Sequence, residues 1–281
     1  MKLGISMWSY YRAWKNDGLD IPGFIRTAKD LGADGVELLD FFWKDQEAEL
    51  PAVEAALAET GLPVGVYSVA NNFVNTDPVV RQEHVKRITD GVDMAVRFGA
   101  KVERVFAGNP IDGVSFDSAL GWIVDGLKQA AAYAESHGIT LALENHGLLA
   151  GRSDQVQAIL IAVGSPALKA NPDTGNFLLV HQAPHEAVNK IAAQAAMVHF
   201  KDFSEVPEDY PGMTYASLDG LKYRGVALGE GDVALESCVR ELASAGFDGW
   251  LNIEYEGEEP PATALPRSIE YARKIMKAVA G

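Results

Sequence analysis

Cationic residues are scarce in this chain: 24 Lys and Arg stand against 39 Asp and Glu, a formal net charge of −15. A surface this acidic repels phosphate backbones and anionic headgroups, so neither nucleic acid nor a membrane surface is expected as a partner. Most of the charge serves solubility. There is one cysteine, Cys238, so no intrachain disulfide can form. Its neighbours Leu235, Val239 and Leu242 mark it as an inert buried thiol. No apolar run approaches the roughly 20 residues of a membrane span. The opening segment MKLGISMWSYY is too short and polar for a signal peptide, and a cytoplasmic protein is the expectation. A glycine-rich fingerprint after the first strand is also lacking, which weakens a dinucleotide-binding reading. No serine elbow, phosphate loop or Cys/His pair supports nucleophilic catalysis, and Gly229-Glu-Gly-Asp reads as a turn before a helix.

What the chain does have is rhythm. Short apolar runs alternate with longer amphipathic segments. The runs are Leu3–Trp8, Gly35–Leu39, Pro63–Val69, Val102–Ala107, Ile139–Glu144, Leu168–Asp173, Met197–Phe200 and Trp250–Glu254. Between them lie helical patterns over 22–31, 50–60, 79–98, 116–137, 154–163, 186–196, 233–245 and 264–279. Glycines 32, 61, 99, 138, 164 and 246 end six of these patterns, where a left-handed cap is needed. Eight strand-then-helix units in 281 residues predict one (β/α)₈ TIM-barrel domain over 1–281, close to the usual length of about 250 residues. One stretch breaks the pattern. Residues 202–232 separate the seventh strand from its helix and are too long for an ordinary βα loop. At the catalytic face such a segment reads as a lid, against the simpler alternative of a surface insertion.

Reacting groups of a barrel sit at the C-terminal ends of its strands. Strands five to eight end in Glu144, Asp173, His199 and Glu254. Each alone is weak evidence, since a strand-end carboxylate is more often a cap or ion-pair partner. Four on successive strands at one rim are hard to explain structurally, because crowding carboxylates without a cation is costly. Three carboxylates and one imidazole suit a hard divalent ion, Mn²⁺ first, with Mg²⁺, Co²⁺ or Zn²⁺ as alternatives. Period-two alternation places His146 beside Glu144 and Lys201 beside His199 on the inward face. His146 then suits contact with a substrate, and Lys201 either such a contact or a buried carboxylate. Trp8, Tyr10, Phe41, Phe42, Trp43 and Phe73 follow the first three strands and suit the apolar face of a substrate, or else helix-to-barrel packing; Asn71 is the polar contact candidate among them.

Five motifs carry a family resemblance: Leu143-Glu144-Asn145-His146, Asp173-Thr174-Gly175-Asn176, Val198-His199-Phe200-Lys201-Asp202, Tyr223-Arg224-Gly225 with Gly229-Glu230-Gly231-Asp232, and Asn252-Ile253-Glu254. Through them nearly the whole chain resembles the sugar phosphate isomerase/epimerase group of the xylose-isomerase-like barrels. The resemblance implies a metal held by Glu144, Asp173, His199 and Glu254, with Glu144 and Glu254 as the two catalytic bases on opposite faces of a carbon alpha to a carbonyl. It also implies Arg224 as a substrate-side arginine and places Asn176 in the substrate region, where some ketose epimerases carry histidine. Members are commonly dimers or tetramers, which leaves a homo-oligomer open.

The expected activity is metal-dependent isomerisation or epimerisation of a small ketose or keto sugar. The alternative is a lyase or dehydratase acting on a keto sugar, keto-inositol or 3-keto-glycoside, which needs the same metal and base. Abasic-site endonucleases share the fold, but six histidines and an acidic chain disfavour their multi-metal, DNA-binding design. A non-catalytic sugar-binding barrel would not need bases on two faces.

Overall fold

The computed structural model describes residues 1–280. Its strands are β1 (Lys2–Ser6), β2 (Gly35–Leu39), β3 (Val64–Ser68), β4 (Val102–Val105), β5 (Thr140–Glu144), β6 (Leu168–Asn171), β7 (Met197–Phe200), β8 (Asp202–Val206), β9 (Tyr215–Ala216), β10 (Lys222–Val226) and β11 (Trp250–Ile253). The helices are α1 (Tyr11–Asp17), α2 (Ile21–Asp30), α3 (Gln46–Thr60), α4 (Pro78–Phe98), α5 (Phe116–Ser136), α6 (Ser153–Val163), α7 (Asn176–Leu179), α8 (Pro184–Ile191), α9 (Leu235–Ser244) and α10 (Pro261–Ala280). All eight anticipated units are present. The parallel order is β6-β5-β4-β3-β2-β1-β11-β7. The two end strands meet through bridges between Ala170 and Ala195 and between Asp173 and His199, which close the TIM barrel. That last bridge sets two of the anticipated ligands opposite each other by backbone pairing alone. Among the described residues no helix is long and apolar enough to cross a membrane.

Local chemistry explains where elements start and stop. The first strand ends at Ser6, shorter than the apolar run suggests, because the Ser6 hydroxyl accepts from Trp8 N and starts a 3₁₀ turn over Met7–Tyr10. All six cap glycines have φ between 67° and 78°, as their placement requires. The stretch 202–232 is no open loop: β8, β10 and β9 form an antiparallel sheet, with Arg224 opposite Ser204. Asp202 anchors its return, accepting from the backbone N–H groups of Gly229, Gly231 and Val233.

Alternation sorts the barrel strands into two faces. Outward residues such as Leu3, Leu38, Leu141, Val198 and Ile253 join the main core beneath the helices, and Cys238 is buried with them. Trp250 crosses the bottom of the barrel. A Cβ at Gly35 or Gly65 would lie 2.6 or 2.4 Å from its indole, so the plug requires glycine there. The upper interior is polar: Ser6, Glu37, Ser68, Arg104, Asn171, His199 and Asn252 are all buried.

One outward position breaks the apolar rule. Glu103 on β4 is fully buried against Gly91 of α4, and neither carboxylate oxygen has a hydrogen-bond partner among the described residues. Burial, then the charge of Asp40, raises its pKa well above the usual 4.5. The folded state therefore holds this proton to higher pH than the unfolded chain, and stability falls as pH climbs above 4.5. Glu103→Gln should be more stable than the wild type at pH 8 by about 1 kcal/mol or more, with the gap closing toward pH 5. Thermal melts at the two pH values check this; a constant gap would contradict it.

Candidate active site

Four adjacent strand ends build the site. Glu144 ends β5, Asp173 follows β6, His199 lies on β7 and Glu254 follows β11. Each offers a ligand atom, all four atoms lie within 4.8 Å of one another, and all four residues are buried. The sequence places them on successive units, and the structure brings the whole set together.

Supporting bonds orient the cluster. Asp173 Oδ1 accepts from the N–H groups of Gly175 and Asn176, each at 2.9 Å, at the start of the short helix α7. Its Oδ2 is left without a hydrogen-bond partner among the described residues. The Asn145 amide grips the Asp173 backbone, donating to its carbonyl at 3.1 Å and accepting from its N–H at 2.6 Å. Glu144 receives Asn171 and Asn176, each at 3.3 Å, and pairs with the Arg104 guanidinium at 3.3 Å. His199 turns Nε2 toward the Glu37 carboxylate, 3.0 and 3.1 Å away. Its Nδ1 faces Glu144 at 3.0 Å and Glu254 at 3.6 Å, off hydrogen-bond geometry, and has no hydrogen-bond partner among the described residues.

His199 Nδ1, buried and unpartnered among three carboxylates, fits a cation, and Asp173 Oδ2 beside it is held only by the Lys201 ion pair. The electrostatics agree. Burial, with the charges of Glu144 and Glu254, pushes Asp173 up to about 7 against the pull of Lys201. Burial opposes a charge on His199, but Glu254, Glu37 and Glu144 outweigh it and hold its pKa well above the ordinary histidine range. A divalent ion would add to the counter-charge of Lys201 and Arg104, and the hard, mainly oxygen donor set suits one. The Glu37–His199 pair has the carboxylate–histidine form that orients metal-ligating imidazoles.

Above the cluster lies a cavity of about 310 Å³. Glu144 and Glu254 line it, together with Trp8, Phe41, Phe106, His146, Lys201, Arg104, Asp40 and Glu256. His146 stands where alternation puts it, its ring 4.2 Å from that of Phe106. Burial, with Lys201 and Arg104, lowers its pKa and leaves a neutral imidazole. Lys201 takes the ion-pair role anticipated as one of its two options, 2.9 Å from Asp173, 2.6 Å from Glu254 and 3.4 Å from Glu256. It also reaches the cavity.

Three anticipated substrate contacts stand elsewhere. Asn176 is buried and gives its amide to Glu144 and the Asn145 carbonyl, so it acts through Glu144. Asn71 spends its amide on the Phe106 backbone, donating at 2.7 Å and accepting at 2.8 Å. Arg224 is exposed on β10, above the Tyr210 ring, and is not among the residues lining the cavity. Among the aromatics, Trp43 donates to the Tyr67 hydroxyl and stacks on Phe98, while Phe73 is core.

Glu37, Arg104 and Glu256 were not assigned roles from sequence. Glu37 and Arg104 carried a usable signal. A charge in the middle of a buried barrel strand marks a special site: Glu37 of Gly35–Leu39 and Arg104 of Val102–Val105 face the interior, whereas Glu103 beside Arg104 faces the helices. Inspecting strand ends alone passes over them.

The family model for xylose isomerase-like TIM barrels matches residues 25–275. A putative hydroxypyruvate isomerase of Streptomyces coelicolor is 25% identical over 90% of this chain and 94% of its own length. An inosose dehydratase of Clostridium perfringens is 24% identical over 99% of this chain and 96% of its own. A solved 3-keto-D-glucoside 4-epimerase from E. coli superposes with a TM-score of 0.76 at 18% identity, covering 98% of this chain and 99% of that one. With the barrel closed and its polar cluster at the strand ends, the chain belongs to the xylose isomerase-like TIM-barrel family and is an enzyme.

Proposed function

We propose that this enzyme isomerises or epimerises a keto sugar by proton transfer alpha to the carbonyl, with one divalent ion, Mn²⁺ first, held by Glu144, Asp173, His199 and Glu254. The observation that carries this is two carboxylates flanking a cation-fitting cluster on the floor of a cavity with aromatic walls. In the strand order β5-β6, then β7-β11, Glu144 and Glu254 are the outer pair, with Asp173 and His199 between them. They therefore approach a bound carbon from opposite sides. Glu144, braced by Asn171, Asn176 and Arg104, takes or returns a proton on one face, and Glu254 serves the other. A divalent ion held by Glu144, Asp173, His199 and Glu254 would supply Lewis acidity for a carbonyl beside it. Trp8 and Phe41 pack against sugar C–H faces, and neutral His146 binds a hydroxyl as donor or acceptor.

A second reading is favoured by Glu256, a carboxylate lining the cavity beyond the two bases that isomerisation does not require. In it one base removes the alpha proton and Glu256 assists departure of a beta hydroxyl or glycosidic oxygen, as a dehydratase or lyase needs. NMR in deuterated water, with Mn²⁺ and a panel of free ketoses, keto-inositols and 3-keto-glucosides, tests both. Deuterium uptake at the alpha carbon with a new isomer supports the first, and elimination product the second. Absence of exchange and product on the whole panel refutes both.

A further inference from the structure

A second cavity, of about 350 Å³, adjoins the first. Trp8 and Glu256 line both, joined by a bond from the indole Nε1 to the carboxylate at 2.8 Å, so this pair is the partition. None of the residues lining the inner cavity comes from the 202–232 insertion. Met213 and Tyr215 of that insertion line the outer one. The insertion thus walls a second chamber.

The outer chamber has the chemistry of a ring site. An aromatic surface runs through the partition: Phe41 meets Trp8 edge-on at 5.7 Å on the inner side, and Tyr11 stacks on Trp8 at 5.0 Å on the outer. Tyr215 and Tyr255 add hydroxyl-bearing rings. Of the charged residues lining it, four are carboxylates, Asp17, Glu256, Glu258 and Glu259, and one is a cation, Arg12, while Lys201 and Arg267 pair with Glu256 and Glu259 from outside the lining. That balance repels a phosphate or carboxylate and suits hydroxyl donors. The loop after the last barrel strand, a common phosphate site in this architecture, is here filled by those glutamates.

We infer that the outer cavity is a subsite for an uncharged second ring, joined through oxygen to the sugar held over the metal-ligand cluster, so that the substrate is a glycoside. This rests on the keto-sugar reading above. The linking oxygen would pass the Trp8–Glu256 pair, and the insertion selects for what lies beyond it.

The test uses the Mn²⁺-loaded protein and unreactive probes, read by tryptophan fluorescence titration: methyl β-D-glucoside for one ring, cellobiose for a sugar as the second ring, and phenyl β-D-glucoside for an aryl one. At least one two-ring probe should bind about tenfold tighter than methyl glucoside, the size expected of one added pocket contact. Tyr11→Ala and Met213→Ala, which remove side chains that line the outer cavity and not the inner one, should each erase that advantage. Met213 is 39% exposed, so its truncation guards against misfolding as the cause. Equal affinity for all three probes, no binding of any, or an advantage surviving both substitutions overturns the subsite. Two-ring preference without turnover of any keto sugar would sink the functional reading alone. Turnover of a one-ring keto sugar without the preference would sink the subsite alone.

Discussion

Glu144→Gln and Glu254→Gln should each lower kcat by about 10²–10⁴-fold, the usual cost of removing a general acid or base. Either change keeps side-chain shape and removes one negative charge from the cluster. Two bases on two faces also predict an asymmetry. With substrate in deuterated water, the variant lacking the first base shows neither exchange nor product. The variant lacking the second still exchanges the alpha proton through the remaining base, but forms no product of inverted configuration. NMR time courses separate these patterns, and metal titration of both variants separates a lost base from a lost ion. Turnover within tenfold of wild type in either variant would rule out the two-base scheme.

Glu37→Gln should weaken Mn²⁺ binding by about 10–100-fold, the range for losing a carboxylate behind a ligating histidine. Glu37 is fully buried and accepts from His199 Nε2, Asn252 Nδ2 and the Ser68 hydroxyl. Burial opposes its charge, but His199, Arg104 and Ser68 outweigh it and hold its pKa below the usual carboxylate value. Glutamine offers one acceptor and turns an amide toward one of those donors. The imidazole then loses its counter-charge and part of its orientation, and Nδ1 becomes a poorer ligand. Calorimetric titration with Mn²⁺ is the measurement, with thermal melts to confirm folding. A dissociation constant within threefold of wild type would show that Glu37 only fills space.

These two residues differ in how far the sequence reveals them. Glu144 closes an apolar run, Asp173 and His199 follow at spacings of one unit each and Glu254 after the wider gap that holds the insertion, so the set is visible without coordinates. Glu37 sits inside a run, 162 positions from His199, and no local pattern links the two. Asn176 and Asn71 show the opposite limit. Both occupy the right rim, but each side-chain amide is bound by a protein partner, Glu144 for one and the Phe106 backbone for the other. Arg224 was expected near the substrate from its motif. Strand alternation in β10 buries Tyr223 and turns Arg224 outward, which required knowing that the insertion is a sheet.

By itself the sequence determined the repeating strand-and-helix order, the capping glycines and the four strand-end candidates Glu144, Asp173, His199 and Glu254. All of these follow from periodicity and backbone geometry within short windows, where the physics is local. Tertiary structure decided the closure of β6 on β7, the Glu37–His199 pair, the Lys201 ion pairs and the division of the face into two chambers. Those depend on which strand ends meet across the barrel, and on how buried charges find partners far away along the chain.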